Sequence, residues 1–260
     1  MHLSNFRGVS FDSLLRPASL RRAARAARTA LQRVLPQACA LCAGACGNAL
    51  VCAACVIALP RITSPCPTCG LPTRGADDRT PCGTCRARPP PFRATVAAWA
   101  YDFPVDRLVQ ALKYDGRLAL AEPFAVALVA AVARRGGPLP DVVVALPLAP
   151  ARQRTRGFNQ AHEIARRVAA GVGRPLVAGL ERTRDAPPQA ALAWSERARN
   201  VRRAFAGNAH LAGRRVALVD DVMTTGATLA AAASAARHAG AIDVEAWVVA
   251  RTLPPASRDP

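Results

Sequence analysis

Two adjacent carboxylates, Asp220 and Asp221, close the apolar run VALV at 216–219, and a turn rich in threonine, glycine and alanine follows them. A buried strand that ends this way presents acids at its carboxyl end, where open α/β sheets place their ligands. Residues 223–228 then lead into a helix, whose first N–H groups lack partners and whose dipole attracts an anion. Thr224, Thr225 and Thr228 add hydroxyl donors, and Gly226 lets the backbone close around a phosphate. Acids beside such a cradle suit a sugar phosphate, with the carboxylates accepting from two vicinal ribose hydroxyls. The plain alternative is a threonine N-cap preceded by acids of the kind that bind metal in unrelated folds. The phosphate-loop pattern G-x-x-x-x-G-K-[ST] is absent.

A second chemistry lies nearer the N-terminus. Nine cysteines fall between 39 and 85, and eight form C-x-x-C pairs: Cys39/Cys42, Cys52/Cys55, Cys66/Cys69 and Cys82/Cys85. Two residues between thiolates let both sulfurs of a tight knuckle reach one ion, so four pairs make two tetrahedral four-sulfur sites, with structural zinc the expected metal. Disulfides and iron are the competing accounts, and a thioredoxin-like redox motif would need one pair rather than four. Sequential pairing is the simplest topology and a cross-brace the alternative. Cys46 is either a buried thiol or a replacement ligand. A segment of about fifty residues with few large apolar side chains builds little core, so metal is expected to supply its folding energy.

The elements that must position these groups alternate. TVAAWAY (95–101) reads as a strand, VDRLVQALKY (105–114) and EPFAVALVAAVARR (122–135) as helices, and DVVVALP (141–147) as a buried strand. FNQAHEIARRVAAGV (158–172) is helical, a short strand follows near 175–178, and 181–203 is a polar, arginine-bearing segment. RRVALVD is a strand, TLAAAASAARHAG a helix and VEAWVVART a final strand. This alternation predicts a parallel α/β sheet with helices on both faces.

The organisation expected is a basic amphipathic arm (1–36, helical over 18–34), a double zinc ribbon (37–88), a stiff proline linker (89–93), the α/β domain (94–252) and a tail (253–260). With 260 residues, 51% of them hydrophobic, the chain is not a disordered one. Its longest apolar stretches, such as 123–133, are about half the ~20 residues a membrane-spanning helix needs, so no transmembrane segment is expected. The arm carries no continuous apolar core of the secretory kind, and a cytoplasmic location is expected, with a mitochondrial address the alternative. Net charge is +18, from 34 arginines and one lysine, Lys113, against 17 acids. That excess favours a polyphosphate or nucleic-acid partner. A GC-rich genome would explain arginine over lysine, but not bases over acids.

VALVDDVMTTGAT resembles the phosphoribosyl pyrophosphate (PRPP) signature of type I phosphoribosyltransferases. Together with LKYDGR (112–117), RTRGFNQA (154–161), the run Arg182, Gln189, Arg197, Asn200 and the preceding double cysteine knuckle, it resembles the ComF family, associated with competence and DNA uptake in bacteria. The likeness covers residues 37–252; the basic arm, Cys46 and Ala186 depart from the usual pattern. It implies a phosphoribosyltransferase fold in which Asp220 and Asp221 hold the ribose diol while Thr224, Thr225, Gly226, Ala227 and Thr228 wrap the 5'-phosphate. Mg2+ with Lys113, Arg156 and Gly157 would hold the pyrophosphate, and Arg182, Gln189 and Arg197 would complete the site from a segment able to close over it. Lys113 as the single lysine suggests a compact point charge, and chance explains it as well. Family resemblance further implies work beside a competence helicase and recombination proteins at the inner face of the membrane.

Three functions follow. The first is a transferase displacing pyrophosphate from PRPP, with Asp220 and Asp221 stabilising positive charge on the ribose. The second is a DNA-uptake factor in which the fold senses PRPP and the basic surface meets single-stranded DNA, although 5% aromatic residues provide few stacking platforms. The third is a zinc-stabilised scaffold with a vestigial site. No residue stands out as a general base and no acceptor can be named.

Overall fold

The computed structural model describes residues 38–47, 49–73, 79–183 and 204–254. The helix expected over 18–34, and Ala186, Gln189, Arg197 and Asn200, lie outside these residues. The chain forms two compact units, Met1–Val56 and Ile57–Pro260. The first holds the Cys39 and Cys42 knuckle together with Cys52 and Cys55. Helix α1, Ala53–Ala58, begins within this second pair.

The second unit begins with the other cysteine knuckles, the second of which leads into the short helix α2, Gly83–Ala87. Strand β1, Ala94–Ala100, follows, then helix α3, Val105–Tyr114, and helix α4, Ala121–Arg135. Beyond these come strand β2, Val142–Ala145, and helices α5, Pro150–Arg156, and α6, Gln160–Val172. A small antiparallel pair, β3 (Leu180–Arg182) with β4 (Phe205–Gly207), precedes strand β5, Arg215–Met223, helix α7, Ala227–His238, and strand β6, Asp243–Arg251.

The main sheet has the order β1-β6-β5-β2, and every pairing is parallel. Its two central strands are apolar on both faces over 216–219 and 246–250, as parallel strands covered by helices must be. Val142, Val144, Val216, Leu218, Val244, Ala246 and Val248 join Leu229, Ala232, Ala233 and Ala236 of α7 in one core cluster. Helices α4 and α6 pack on each other; α4 also packs on β1, and α6 on β2 and β5. The alanine-rich face of α7 permits close approach: a Cβ at Gly207 would lie 2.8 Å from the carbonyl oxygen of Ala235.

At the amino end of the sheet, Glu245 is 1% exposed. It accepts from the guanidinium groups of Arg93 and Arg135 and, at 2.9 Å, from Trp247 Nε1, so a buried charge is paired from three sides. Asp141, beside Arg215 at the same end, is held down to about 2 by the Arg215 side chain.

Three strand features depart from the sequence expectation. The strand expected near 175–178 is a single parallel bridge, Val143 with Leu176. The polar segment expected from 181 begins with β3. Strand β5 does not stop at the acids but pairs with β6 as far as Met223, opposite Arg251.

Candidate functional site

Both carboxylates sit on β5 just past Val219, where its pairing with β2 ends; the ladder with β6 continues through Asp220 to Met223, so their backbone is held from the β6 side. Each also accepts from the next amide: Asp221 N–H donates to Asp220 Oδ1 at 2.9 Å, and Val222 N–H to Asp221 Oδ1 at 2.8 Å. Asp221 is 3% exposed. Its other oxygen lies 2.8 Å from the Lys113 ammonium, an ion pair rather than an aligned hydrogen bond. Lys113 comes from the last turn of α3, whose apolar face (Val105, Leu108, Val109, Leu112) is buried, so packing of that helix aims the lysine. The only lysine in the chain is therefore placed on the buried acid. Burial, then the neighbouring Asp221 carboxylate, push the carboxyl of Asp220 well above the usual carboxylate range.

After β5 the chain turns at Gly226, whose φ of +83° favours glycine and which caps α7. A side chain there would also meet Met223 Cε at 2.6 Å. No side chain of Gly226 caps the helix, and Thr225 Oγ1 accepts from Ala227 N–H at 3.3 Å. Thr224 and Thr225 are exposed and Thr228 half-buried at the start of α7, the end of a helix where an anion is favoured.

Arg156 ends α5, a helix that sequence reading missed because it is only seven residues long from its proline start to the glycine that stops it. Its guanidinium lies 5.3 Å from the ring of Tyr114, the neighbour of Lys113, and donates to Gln160 Oε1 at 2.5 Å. The structure therefore brings Arg156 to the end of α3 that carries Lys113. Gly157 takes φ +78° to terminate α5. Asn159 caps α6 and donates to the carbonyl of Leu146 at 3.0 Å, pinning the RGFNQ segment to the end of β2. Arg182 lies instead on β3, its guanidinium 5.3 Å from the Phe205 ring.

The eight paired cysteines gather into two sequential sets, Cys39, Cys42, Cys52, Cys55 and Cys66, Cys69, Cys82, Cys85; within each set the sulfurs all lie within 4.8 Å of one another. All nine thiols are free. Sulfurs of Cys42 and Cys52, and of Cys69 and Cys82, are 3.8 Å apart. A tetrahedral four-sulfur site with metal–sulfur bonds of about 2.3 Å requires sulfurs separated by about 3.8 Å, so the donor sets fit zinc. Backbone amides prepare one sulfur in each set. The N–H groups of Cys42 and Cys52 bring Cys39 down to about 6. Burial opposes ionisation of Cys66, but the amides of Cys82, Cys69 and Thr68 hold it at about 7. Cys46 belongs to neither set; it is half-buried, and burial pushes its thiol up.

Sequence reasoning also missed Arg251. This side chain, 4% exposed, donates from Nε to the Cys69 carbonyl at 2.9 Å and from Nη1 to the Met223 carbonyl at 2.9 Å. The one available signal was an arginine ending the apolar run AWVVA at 246–250.

Two outcomes follow from this geometry. Because the folded state raises Asp220, stability tied to its protonated form is complete below the ~3.9 of a free aspartate and is lost as pH rises toward the folded value. Asp220→Asn is expected to melt a few degrees above the parent chain at about pH 8, with the gap closing below about pH 4; a parent that melts higher throughout contradicts this. Metal analysis of purified protein is expected to find two zinc ions per chain, one after Cys52→Ser and two after Cys46→Ser, with an unchanged content in Cys52→Ser the contrary result.

No family model matches the chain. Among solved structures, it is similar to a glutamine PRPP amidotransferase from B. subtilis (22% identity, TM-score 0.36, 50% of this chain and 26% of that one). It is also similar to a purine phosphoribosyltransferase from Pyrococcus horikoshii (18% identity, TM-score 0.30, 60% and 77%). Among curated proteins, it is 36% identical over 208 residues to the DNA utilization protein YhgH of Salmonella typhi, covering 78% of this chain and 91% of that protein. The YhgH protein of Escherichia coli K12 is 34% identical over 226 residues, covering 84% and 99%. Competence protein F of Haemophilus influenzae is 30% identical over 178 residues, covering 65% and 78%. With an acid pair fixed on a parallel strand, a helix-start cradle, two four-cysteine sets and relatives matched over most of their length, the chain belongs to the ComF family.

Proposed function

We propose that this chain binds PRPP and transfers its phosphoribosyl group, as part of DNA uptake and use. The observation that carries the reading is the acid pair on β5, with Lys113 2.8 Å from Asp221 and the Gly226 turn following the strand. In this reading the ribose diol donates to Asp220 and Asp221, and the 5'-phosphate accepts from the amides and hydroxyls of Thr224, Thr225, Gly226, Ala227 and Thr228. Lys113 exchanges Asp221 for a pyrophosphate oxygen. Arg156, followed by Gly157 whose left-handed backbone ends α5, supplies a second cation at that end. Gln189 and Arg197 belong to the segment proposed to cover the bound sugar, which Arg182 enters from the end of β3.

In the transfer, an acceptor lone pair forms a bond to the anomeric carbon while the bond to pyrophosphate breaks, its electron pair leaving with the pyrophosphate. Positive charge builds on the ribose, and the acid pair stabilises it. Carboxylate oxygens suit a hard cation, and Mg2+ arriving with PRPP would supply charge neutralisation at the leaving group. Water is excluded and the sugar oriented by the chain's own residues.

The relatives named for DNA utilization and competence support a role in handling DNA, and +18 net charge supports contact with a polyanion. No helix among the described residues is long and apolar enough to cross a membrane. A second reading, a PRPP sensor that contacts single-stranded DNA without turnover, draws on the same charge. It is separated by chemistry: a panel of bases and amines with PRPP and Mg2+ releases pyrophosphate only for a transferase.

Calorimetry with PRPP and Mg2+ tests the shared core of both. The parent chain is expected to bind, and Asp221→Asn to bind about ten- to a hundredfold more weakly, the loss of charge-assisted hydrogen bonds to the sugar. Absence of binding by the parent, or equal affinity in Asp221→Asn, overturns the proposal.

A further inference from the structure

The second cysteine set is joined to the turn that follows β5. Its first knuckle lies against β1: Thr95 N–H donates to the Pro67 carbonyl at 2.9 Å, and Thr95 Oγ1 to the Thr68 carbonyl at 2.6 Å. Gly70 keeps φ +71°, and a Cβ there would stand 3.0 Å from Thr95 Cγ2 and 3.8 Å from Arg251 Cδ. Nothing larger fits between knuckle and sheet. From β6, Arg251 reaches both ways. Nε bonds the Cys69 carbonyl at 2.9 Å, while Nη1 bonds the carbonyls of Met223 (2.9 Å), Thr252 (3.0 Å) and Thr224. Met223 and Thr224 are the residues that carry β5 into the Gly226 turn, and Met223 Cε fills the space a side chain at 226 would need.

A buried guanidinium ordinarily has a carboxylate partner. Among the described residues no carboxylate forms an ion pair with Arg251, and its bond to the Cys69 carbonyl sets the guanidinium beside the second cysteine set. Four thiolates around one divalent ion carry two net negative charges, and a cation beside them compensates that excess.

We infer that Arg251 is a positioning residue that couples metal occupancy of the Cys66, Cys69, Cys82, Cys85 set to the order of the Thr224–Gly226 turn. A metal that fixes the Cys66/Cys69 knuckle fixes the Cys69 carbonyl, and through Arg251 the two carbonyls that set the turn. Lysine cannot substitute, because one ammonium lacks the fork that spans knuckle and turn together. The significance for binding rests on the proposed reading of that turn as a phosphate cradle, but the coupling itself is independent of any ligand.

Amide hydrogen exchange on the full chain without ligand tests it, by following the amides between Thr225 and Ala231. Arg251→Met, Arg251→Lys and Cys82→Ser are each expected to speed exchange there at least about tenfold, while sheet amides at 216–219 and 246–249 keep the parent rates. Cys52→Ser, which removes a ligand of the other set, is expected to leave the turn unchanged. Unaltered exchange at the turn in Cys82→Ser, or a uniform rise that includes the sheet, overturns the inference. Should Arg251→Met fail to fold, Arg251→Lys and graded metal removal by a chelator read the same quantity. A parent chain that shows the coupling yet binds no PRPP would retain this inference and reject the proposed function.

Discussion

Two neighbouring carboxylates share one ammonium, and that imbalance governs the centre of the molecule. Asp221 is buried against Lys113, and Asp220 beside it is held toward its protonated form by burial and by its neighbour. A chain selected for stability alone would not keep such a pair on a central strand, where an apolar residue would extend the core. The arrangement persists because β2 holds β5 as far as Val219 and β6 holds it on to Met223, and because the buried face of α3 fixes where Lys113 can go. Elsewhere in a chain of +18 net charge, acids find arginines readily, as Glu245 and Asp141 do. The acid pair is provided with a single compact cation, which a ligand can displace more easily than a forked guanidinium.

The second unit carries its sheet and its four-cysteine set as one piece of structure. Thr95 and Arg251 tie the knuckle to β1 and β6 through backbone carbonyls, so the small cysteine-rich segment leans on a large core. A metal held by these cysteines would supply order where apolar area is scarce, and the sheet supplies the rigid surface on which that order would be expressed.

Much of this was legible in the residues, and the reasons for the rest are physical. Period-two and unbroken apolar runs marked β1, β2, β5 and β6, and helical spacing marked α3, α4, α6 and α7. C-x-x-C spacing marked both cysteine sets, and the sequential grouping is the simplest one. The end of β5 was misjudged because acids argue against a strand, yet pairing with β6 carries the ladder past them to Met223. The pair β3 and β4 is three residues on each side and too short for periodicity. Arg251 was hidden among 34 arginines: composition made it look ordinary, and only its tertiary partners distinguish it. Lys113 was visible as an oddity, but its partner was not, since Asp221 lies on a strand far along the chain and only the sheet brings the two together.

A crystal structure of the chain with ribose 5-phosphate tests the central claim most directly. The account requires both sugar hydroxyls within hydrogen-bonding distance of Asp220 and Asp221, Lys113 withdrawn from Asp221, and the phosphate seated on the amides that open α7. A sugar bound elsewhere, or an acid pair still closed by Lys113 with the helix start vacant at saturating ligand, would contradict it.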